Sequence, residues 1–459
     1  MRPDRRPSRR ELVNAAERRR PRVLIIVQNL PVPMDRRVWQ ECLALREAGY
    51  GVSVICPRVD GTPSYQVIDG VHIHAFRRYE ATGGRLSYAA EFGNGLVRTA
   101  ALSLRVLLTE KFDVVQTCNP PDTMFTLGRL YRRLGKPFVF DQHDLCPEVF
   151  LSRFSDSADG KSSPLLRALY ALERATYRAA DHVIVTNGSY RARALARGEV
   201  APDALTVVLS SPDDTQMRRG PAVPELRNGR AHLACYLGVM GPQDGVELLL
   251  ESIAHYVHVL RRSDCHFGLL GFGDCYDELR AQAQRLDLSD YVTFTGRADA
   301  TVIRDYLSTA DVGLSPDPLS PLNDVSTMNK TLEYMAFEVP VVAYDLTETR
   351  ASAADAALYV QPNDPVEFAK ALARLMDDPP RRSAMALAGR RRIEGPLSWR
   401  RQASAYVAVF DRLLERKGLA PAQLPEQRDA DWARPRAAYQ QDPLAILHPS
   451  QGYVSKTGR

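Results

Sequence analysis

The chain has 459 residues, a formal net charge of +5 and 45% hydrophobic residues, a composition typical of a soluble globular protein with two or three domains. This composition excludes wholesale disorder, a collagen-like repeat and a small disulfide-stapled fold, and no apolar run is long enough to predict a membrane-spanning helix. The basic start leads straight into a strand, without the apolar segment of a signal peptide. Seven scattered cysteines without a Cys-x-x-Cys pair favour a reduced, cytoplasmic location and argue against structural zinc.

The first 22 residues carry a local charge of +6, because nine arginines stand against Asp4, Glu11 and Glu17. Such a basic arm, residues 1–21 in our division of the chain, can bind an anionic membrane, where each Lys or Arg contributes about 1 kcal/mol. The alternative is a solvated, flexible arm without a partner. Since no stripe of basic and aromatic residues follows in the body of the chain, nucleic acid is not an expected partner.

In chain order, the first predicted element is the apolar run 22–28, typical of a strand buried on both faces of a parallel sheet. Asp35 then stands where a helix N-cap is expected, and the apolar spacing that follows predicts a helix ending at Gly49. A further helix is predicted over 166–180. Further strands are predicted at 52–56, 114–117, 138–141, 182–186 and 206–209. This alternation predicts βαβ units.

The polar stretch from Ser211 to Gly229 has little periodicity and is interpreted as a linker between domains. A second series follows, in which Asp364 and Pro365 give the last helix a strong start signal. Its predicted strands are 232–237, 266–270, 291–295, 312–315, 339–344 and 357–360, and its predicted helices are 246–260, 276–286, 329–337 and 365–376. We therefore expect domains over 22–212 and 213–395, a closing helix over 396–418 and a tail over 419–459.

The expected class is α/β, with two Rossmann-like lobes and a substrate cleft at the carboxyl ends of their strands. Two glycine-rich turns of the second lobe lie at such strand ends, and glycine permits close approach of the backbone to a phosphate. Close packing between elements is the alternative explanation for these glycines. Arg297, after another strand, is a candidate for the wall of a nucleobase pocket. The glycines concerned are Gly241, Gly245, Gly271 and Gly273.

The most informative stretch is a long polar loop, 315–328, followed by a helix with Asn329 as its expected cap. The amino end of that helix offers backbone N–H groups from about Ser326 onward, and Lys330 adds a positive charge in its first turn. Glu333, one turn from Asn329, can accept hydrogen bonds from ribose hydroxyls. The set predicts a seat for a diphosphate attached to a ribose. The alternative is a surface lysine and an acid that merely suits the helix dipole.

Polar side chains also follow three predicted strands of the first lobe. A histidine between acids at a strand end can hold a hydroxylated substrate or relay a proton. In a doubly wound sheet these side chains converge on one cleft, whereas turn-forming chemistry would explain each of them singly. They are Asn29, Asn119, Asp122, Asp141, His143 and Asp144.

The sequence predicts no metal site and no bound cofactor. The only Asp-x-Asp spacing lies in the tail, at Asp429 and Asp431. The chain also contains neither a P-loop sequence nor a Gly-x-Ser-x-Gly elbow, which argues against a P-loop nucleotidase and a serine hydrolase.

Together these motifs resemble the retaining glycosyltransferases of the GT-B fold, family 4 (glycosyl transferases group 1), of the type that assembles bacterial polysaccharides. The resemblance covers residues 22–417, and its most specific segment is NDVSTMNKTLEYMAFEVPVVA at 323–343. It implies an acceptor-side first domain, a second domain that binds a nucleotide-sugar, and a closing helix that returns to the first lobe. Supporting segments are FDQHDLCPE at 140–148, LLGFGD at 269–274, YVTFTGR at 291–297 and ADVGLSPD at 310–317.

Residue by residue, the resemblance implies that Glu333 holds the ribose and that His143 faces the donor sugar and the acceptor. The first acid of the family's glutamate pair falls at Val325, so Asn323 or Asp324 is expected near the donor sugar. The resemblance further implies a diphosphate cradle in the backbone of Ser326, Thr327 and Met328. The family often has Arg and Lys in its first glycine turn, where this chain has Met240 and Gln243 or Asp244. Lys330 is therefore expected to supply more of the positive charge that binds the phosphates.

The activity implied is metal-independent, retaining transfer of a sugar from a UDP- or GDP-linked donor to a hydroxyl of a saccharide or lipid-linked acceptor. The resemblance also implies that the enzyme acts in the cytoplasm or on the inner face of the plasma membrane, in the synthesis of cell-surface polysaccharides or glycoconjugates. The expected catalytic residues are His143, Lys330 and Asp324. Two alternatives stay open. The first is a sugar-nucleotide 2-epimerase, which would need acid–base carboxylates around the sugar ring; the missing acid at Val325 argues against it. The second is a catalytically silent, nucleotide-binding partner of another transferase, which the departures from the family pattern favour.

Overall fold

The computed structural model describes residues 20–78, 85–154, 163–415 and 417–418. Within these ranges the chain folds into two α/β lobes, each built around one sheet. The described residues include no helix that is both long and apolar enough to cross a membrane. The predicted class, with two Rossmann-like lobes, is therefore confirmed.

The first lobe holds an eight-stranded sheet in the order β3-β4-β2-β1-β5-β6-β7-β8, parallel throughout except for the β3–β4 pair. The strand order reverses beside β1, so the loops that follow β1, β5 and β6 meet at one edge of the sheet. The strands are β1 (Arg22–Ile26), β2 (Gly51–Pro57), β3 (Tyr65–Ile68), β4 (Val71–Phe76), β5 (Val114–Cys118), β6 (Phe138–Gln142), β7 (His182–Val185) and β8 (Leu205–Val207). The described helices are α1 (Arg36–Glu47), α2 (Arg85–Thr109), α3 (Phe125–Arg133), α4 (Cys146–Phe154), α5 (Pro164–Ala179) and α6 (Gly188–Gly198).

The second lobe holds a six-stranded parallel sheet in the order β11-β10-β9-β12-β13-β14. Its strand order reverses between β9 and β12, where the first glycine turn and the loop 315–328 leave the sheet. The strands are β9 (His232–Leu237), β10 (Cys265–Leu270), β11 (Val292–Gly296), β12 (Val312–Ser315), β13 (Val341–Tyr344) and β14 (Ala357–Val360). The helices are α7 (Val246–Ala254), α8 (Tyr276–Arg285), α9 (Ala300–Thr309), α10 (Asn329–Ala336), α11 (Thr347–Ala353), α12 (Pro365–Met376) and α13 (Pro379–Glu394).

The closing helix α14 (Trp399–Glu415) returns to the first lobe, as expected. Its apolar residues recur every three or four positions, which gives the helix one apolar face. Trp399, Tyr406 and Phe410 on that face are fully buried in the core of the first lobe. At the same interface the Tyr50 hydroxyl donates to Asp411 Oδ1 at 2.6 Å. The first lobe is thus completed by the last described helix of the chain.

Helix start signals read from the sequence are confirmed at two sites. Asp35 accepts a hydrogen bond from Val38 N at 3.1 Å, and Asp364 caps α12 through Val366 N and Glu367 N, both at 3.0 Å. The helix expected over 246–260 is confirmed in its extent, although α7 ends at Ala254 and the helix continues over His255–Val259 with wider, π-helical turns. The hairpin of β3 and β4 was not predicted, although it turns at Asp69-Gly70, where both residues have positive φ.

Candidate functional site

The amino end of α10 is open to a ligand. Met328 occupies the N-cap position and, among the described residues, no side chain caps the helix there. The expectation that Asn329 is the cap is wrong, because Asn329 is the first helical residue and is exposed to solvent. Uncapped first-turn N–H groups carry the positive end of the helix dipole and favour an anion.

The loop that leads into α10 rests on the first lobe. Asn187 Nδ2 donates to the Val325 carbonyl at 2.9 Å and to Thr327 Oγ1 at 3.1 Å. The Tyr190 hydroxyl is 3.2 Å from Ser326 Oγ, and the side chain of Val325 packs in the apolar core of the first lobe. The amino end of α10 therefore opens at the boundary between the lobes.

Glu333 faces the same boundary. Its carboxylate forms an ion pair with Arg36, the first residue of α1 in the other lobe. The Glu333 side chain is only 8% exposed, whereas that of Arg36 is half exposed. A carboxylate thus lies one helical turn beyond the open end of α10, where it can accept hydrogen bonds from a ligand.

Lys330 points inward and is paired within the second lobe. Its Nζ is 2.5 Å from Asp317 Oδ1 and 5.1 Å from the centre of the Tyr236 ring. Burial lowers the pKa of Lys330, but the charges of Asp317 and Asp244 outweigh it and leave that pKa raised. Burial raises the pKa of Asp244 to about 6, against the opposing effect of Lys330. The positive charge expected in the first turn is therefore balanced by a buried carboxylate.

The glycines of the second lobe let backbones pack against each other. A Cβ on Gly271, whose φ is +155°, would lie 1.8 Å from the Gly238 carbonyl oxygen, and one on Gly273 would lie 2.5 Å from that of Met240. A Cβ on Gly245 would lie 2.1 Å from the Pro316 carbonyl oxygen. The structure thus gives these three glycines a packing role that the sequence left as an alternative.

Three other residues predicted on the donor side either tie loops together or stack on an aromatic ring. Asn323 Nδ2 donates to the carbonyls of Gln243 and Pro318, each at 2.9 Å, and so ties the polar loop to the first glycine turn. Asp324 Oδ1 accepts from the backbone N–H of Thr347, the first residue of α11, at 2.8 Å. The exposed Arg297 lies over the ring of Phe272, at 3.6 Å from its centre. In the first glycine turn, Gly241 N donates to Asp244 Oδ2 at 2.9 Å.

In the first lobe, Asn119 joins the loops that follow β5 and β6. Its Oδ1 accepts from the N–H groups of His143 at 2.7 Å and Asp144 at 3.2 Å, and its Nδ2 donates to Asp122 Oδ1 at 3.0 Å and the Asp144 carbonyl at 2.7 Å. Burial raises the pKa of Asp122 to about 6. The structure brings these four predicted residues together, while Asn29 lies exposed just beyond β1 on the same sheet edge.

His143 is held by Asp141. The His143 Nε2 lies 2.7 Å from Asp141 Oδ2, with the imidazole 16% exposed and the carboxylate fully buried. Burial tends to raise the pKa of Asp141, but Arg37, whose Nη2 is 2.8 Å away, and His143 hold it well below its usual range. An ionised Asp141 accepts a hydrogen bond from Nε2–H, and in the neutral ring with this tautomer Nδ1 carries the lone pair.

Sequence reasoning missed Arg37, Glu41, Gln116 and Tyr406, which surround this pair. Arg37 and Glu41 lie within the apolar pattern of α1, and Gln116 lies in a buried strand, so their local sequence gives no signal. The nearest signal is a charged residue at a helix position that the apolar spacing assigns to the core.

The side chains of Glu41, Cys118, Asp141 and His143 offer ligand atoms within 4.8 Å of one another, as a metal site would. Burial, first of all, and the charge of Asp141 raise the pKa of Glu41 well above its usual value, against the opposing effect of Arg37, whose Nε is 3.1 Å from Glu41 Oε1. Arg37 then supplies the countercharge for Asp141. The cluster is balanced by its own residues, which disfavours a divalent cation.

Two family models match the chain, a glycosyl transferase 4-like domain over residues 34–210 and glycosyl transferases group 1 over 231–378, together well over half of its length. Alpha-D-kanosaminyltransferase of Streptomyces kanamyceticus is 29% identical over 38% of this chain and 44% of that protein. D-inositol 3-phosphate glycosyltransferase of Kineococcus radiotolerans is 26% identical over 53% of this chain and 60% of that protein. The chain thus spans less than two thirds of the length of these curated relatives.

Among solved structures, sucrose-phosphate synthase of Thermosynechococcus elongatus superposes with a TM-score of 0.68 and 19% identity. The match covers 87% of this chain and all of that one, and at this identity it establishes the fold. Both lobes, the returning helix and both family matches agree with the resemblance read from the sequence. The chain belongs to the glycosyl transferases group 1 family (family 4) and has its two-lobed GT-B fold.

Proposed function

We propose that this protein is a retaining glycosyltransferase that moves a sugar from a UDP- or GDP-linked donor to a hydroxyl of a saccharide or lipid-linked acceptor. The proposal is carried by the position of α10, whose uncapped amino end and Glu333 both lie at the boundary between the lobes. Family membership supports the reaction class. Neither relative named above is an epimerase by its name.

The donor lies on the second lobe in this proposal. The N–H groups of Thr327 to Lys330 receive the diphosphate, because Ser326 N already donates to the Asn323 carbonyl at 3.2 Å. Glu333 accepts hydrogen bonds from the ribose hydroxyls. Because Lys330 is paired with Asp317, the helix amides rather than a free ammonium contribute most of the attraction at this seat. The wider donor-side set is Gly241, Gly245, Gly271, Gly273, Arg297, Asn323, Ser326, Thr327, Met328, Asn329, Lys330 and Glu333.

Bond cleavage transfers negative charge to the leaving diphosphate. Donors already aimed at the phosphate oxygens stabilise that charge without reorganising, and closing lobes exclude water. The anomeric carbon gains oxocarbenium character, the acceptor hydroxyl attacks from the face that the diphosphate leaves, and a leaving phosphate oxygen takes its proton. This sequence of events needs no separate base from the protein and keeps the anomeric configuration.

The acceptor lies on the first lobe, where His143 presents Nδ1 toward a substrate hydroxyl. Asn29, Asn119, Asp122, Asp141 and Asp144 complete this side. In this proposal Asn119 and Asp141 hold the His143 loop in place, and their hydrogen bonds to His143 support that role. Asp324 is the weakest of the three expected catalytic residues, because its carboxylate already accepts from Thr347 N.

Cell-surface polysaccharide or glycoconjugate synthesis on the inner face of the plasma membrane is the setting we propose. Its support is the +6 charge at the start of the chain, of which residues 1–19 lie outside the described residues. Co-sedimentation with vesicles of neutral and of anionic lipid, with and without residues 1–21, tests this part. Equal binding of both chains to anionic vesicles would contradict it.

The transfer itself is tested by nucleotide release from a panel of UDP- and GDP-sugars, with and without lipid-linked saccharide acceptors. We expect acceptor-dependent release from one donor, and loss of that release in Glu333→Gln but not in the nearby control Glu338→Gln. Formation of an epimer without an acceptor would instead indicate an isomerase. Tight nucleotide binding without turnover across the panel would indicate a silent partner.

A further inference from the structure

The two segments that connect the lobes are hydrogen-bonded to each other just after β8. The chain leaves the first lobe after β8, and it returns through α14. Arg37 Nη1 donates to the Val208 carbonyl at 2.8 Å and lies 3.2 Å from Ser210 Oγ, on the outgoing connection. The neighbouring Leu209 N donates to Gln402 Oε1 of α14 at 3.0 Å. The outgoing and returning segments are thus joined to each other, and Arg37 is joined to the outgoing one.

The same arginine holds the carboxylate that holds His143. Its Nη2 is 2.8 Å from Asp141 Oδ1, and the other oxygen of Asp141 is 2.7 Å from His143 Nε2. Arg37 is 7% exposed and Asp141 is fully buried, so solvent screens this contact little.

A second path reaches the pair from α14. The Tyr406 hydroxyl donates to Gln116 Oε1 at 2.6 Å, which fixes the orientation of the amide. The Gln116 Nε2 is thereby turned toward the carboxyl groups, at 3.2 Å from Asp141 Oδ2 and 2.9 Å from Glu41 Oε2. Both Tyr406 and Gln116 are fully buried. Without the hydroxyl, the amide could turn its oxygen toward Asp141 and remove a donor from that carboxylate.

We propose that Arg37, Gln116 and Tyr406 are positioning residues that fix the orientation and tautomer of His143 and couple it to both connections between the lobes. The inference rests on the proposed function, because it assigns these residues to His143 as the group facing the acceptor. They act through Asp141 and touch no substrate. A displacement of α14 or of residues 208–210 reaches Asp141 through two hydrogen bonds and His143 through a third.

The chain offers a matched pair of variants for the test. Tyr406→Phe removes the hydroxyl that orients Gln116, whereas Tyr50→Phe removes an equally short hydrogen bond, to Asp411, at the same α14 interface. Both tyrosines are fully buried, so each variant removes a buried hydroxyl; the partner left behind is the buried Gln116 in one case and the partly buried Asp411 in the other. Only the first is connected to Asp141.

The first measurement does not need a substrate. In the whole protein with ¹⁵N-labelled histidine, long-range ¹⁵N–¹H spectra report which imidazole nitrogen carries the proton, and His143→Gln identifies the His143 signals. We expect the Nε2-protonated form in the unmodified protein, a changed His143 signal in Tyr406→Phe and an unchanged one in Tyr50→Phe. An unchanged signal in Tyr406→Phe, or equal changes in both variants, would overturn the proposal.

The second measurement uses sugar transfer. We expect Tyr406→Phe to lower kcat about tenfold with an unchanged KM for the donor, and to have no further effect in a His143→Ala background. An equal loss in both backgrounds would overturn the positioning role. If the unmodified protein transfers no sugar to any acceptor, the proposed function fails, while the spectra still decide the positioning network.

Discussion

Arg36 and Glu333 are 297 positions apart in the sequence and form an ion pair across the boundary of the two lobes. The pair places the carboxylate proposed for the ribose in contact with the first helix of the opposite lobe. One oxygen of Glu333 is engaged by Arg36, and a carboxylate has further lone pairs for hydroxyl groups. This relationship separates two roles, holding the ribose and joining the lobes, that can be tested independently.

We expect Glu333→Gln to raise the Kd for the donor about 10- to 100-fold, since hydrogen bonds to charged groups contribute about 1.5–3 kcal/mol. Arg36→Gln keeps the carboxylate and should change donor affinity less than about threefold, because half-exposed ion pairs contribute little. Calorimetric titration with UDP- and GDP-sugars measures both. Equal losses in the two variants would show that the ion pair, and not the carboxylate, governs donor binding.

Lys330→Met should destabilise the second lobe. The substitution leaves Asp317 buried without its partner, and breaking a buried pair in this way costs about 3–5 kcal/mol. The double variant Lys330→Met with Asp317→Asn should recover part of the free energy of unfolding, as measured in denaturant. Lys370→Met, which breaks the exposed pair with Glu367, is the control and should cost less than about 1 kcal/mol. A stable Lys330→Met protein would contradict the assignment.

Gly271→Ala should also destabilise the second lobe. Its Cβ would lie 1.8 Å from the Gly238 carbonyl oxygen, and its φ of +155° is strained for an L-residue, with a conformational cost of about 1–3 kcal/mol before the clash is counted. Gly93→Ala, in an exposed position of α2 with open space around its Cβ, should instead stabilise the protein by up to about 1 kcal/mol. Thermal unfolding of both variants measures this difference, and equal melting temperatures would contradict it.

The two lobes each contain a buried histidine on an inter-strand hydrogen bond, His182 to Thr206 and His266 to Thr293, both at 2.8 Å. Burial, followed by a nearby arginine, lowers each pKa to about 4. The unfolded chain therefore binds more protons than the folded one between about pH 6.5 and 4, and stability is lost as the pH falls through that window.

We expect His182→Gln and His266→Gln to flatten the decline in melting temperature between pH 6.5 and 4, relative to the unmodified protein. Comparing the variants with the unmodified protein removes the contribution of Asp122 and Asp244, whose raised pKa values act in the opposite direction. His258→Gln, an exposed histidine, is the control. Parallel curves for all four proteins would contradict the prediction.

Local signals in the sequence were sufficient for much of the fold. Asp364 followed by Pro365 predicted the start of α12, and the apolar run at residue 22 predicted a buried parallel strand. The β3–β4 hairpin was missed even though Asp69-Gly70 is a strong turn signal, because β3 has only four residues and none of them is buried. At α10 the loop geometry made Met328 the N-cap, where side-chain preference alone favoured Asn329.

The candidate site was predicted as residues but not as contacts. Lys330 was read as a free charge, because its partner Asp317 lies 13 positions earlier in a loop whose path the sequence does not show. The positioning of His143 depends on Tyr406, which is 290 positions from Gln116. Such pairs are set by topology, so local periodicity carries no information about them.

The return of α14 also makes the first lobe discontinuous in the sequence, with its core shared between residues near the start of the chain and residues 399–414. The second lobe, by contrast, has its six described strands between His232 and Val360. During synthesis, the later lobe therefore has its complete sheet available before the earlier lobe receives its last core helix. A nascent chain stopped before Trp399 would leave the apolar surface of the first lobe uncovered, which makes the order of maturation opposite to the order of translation.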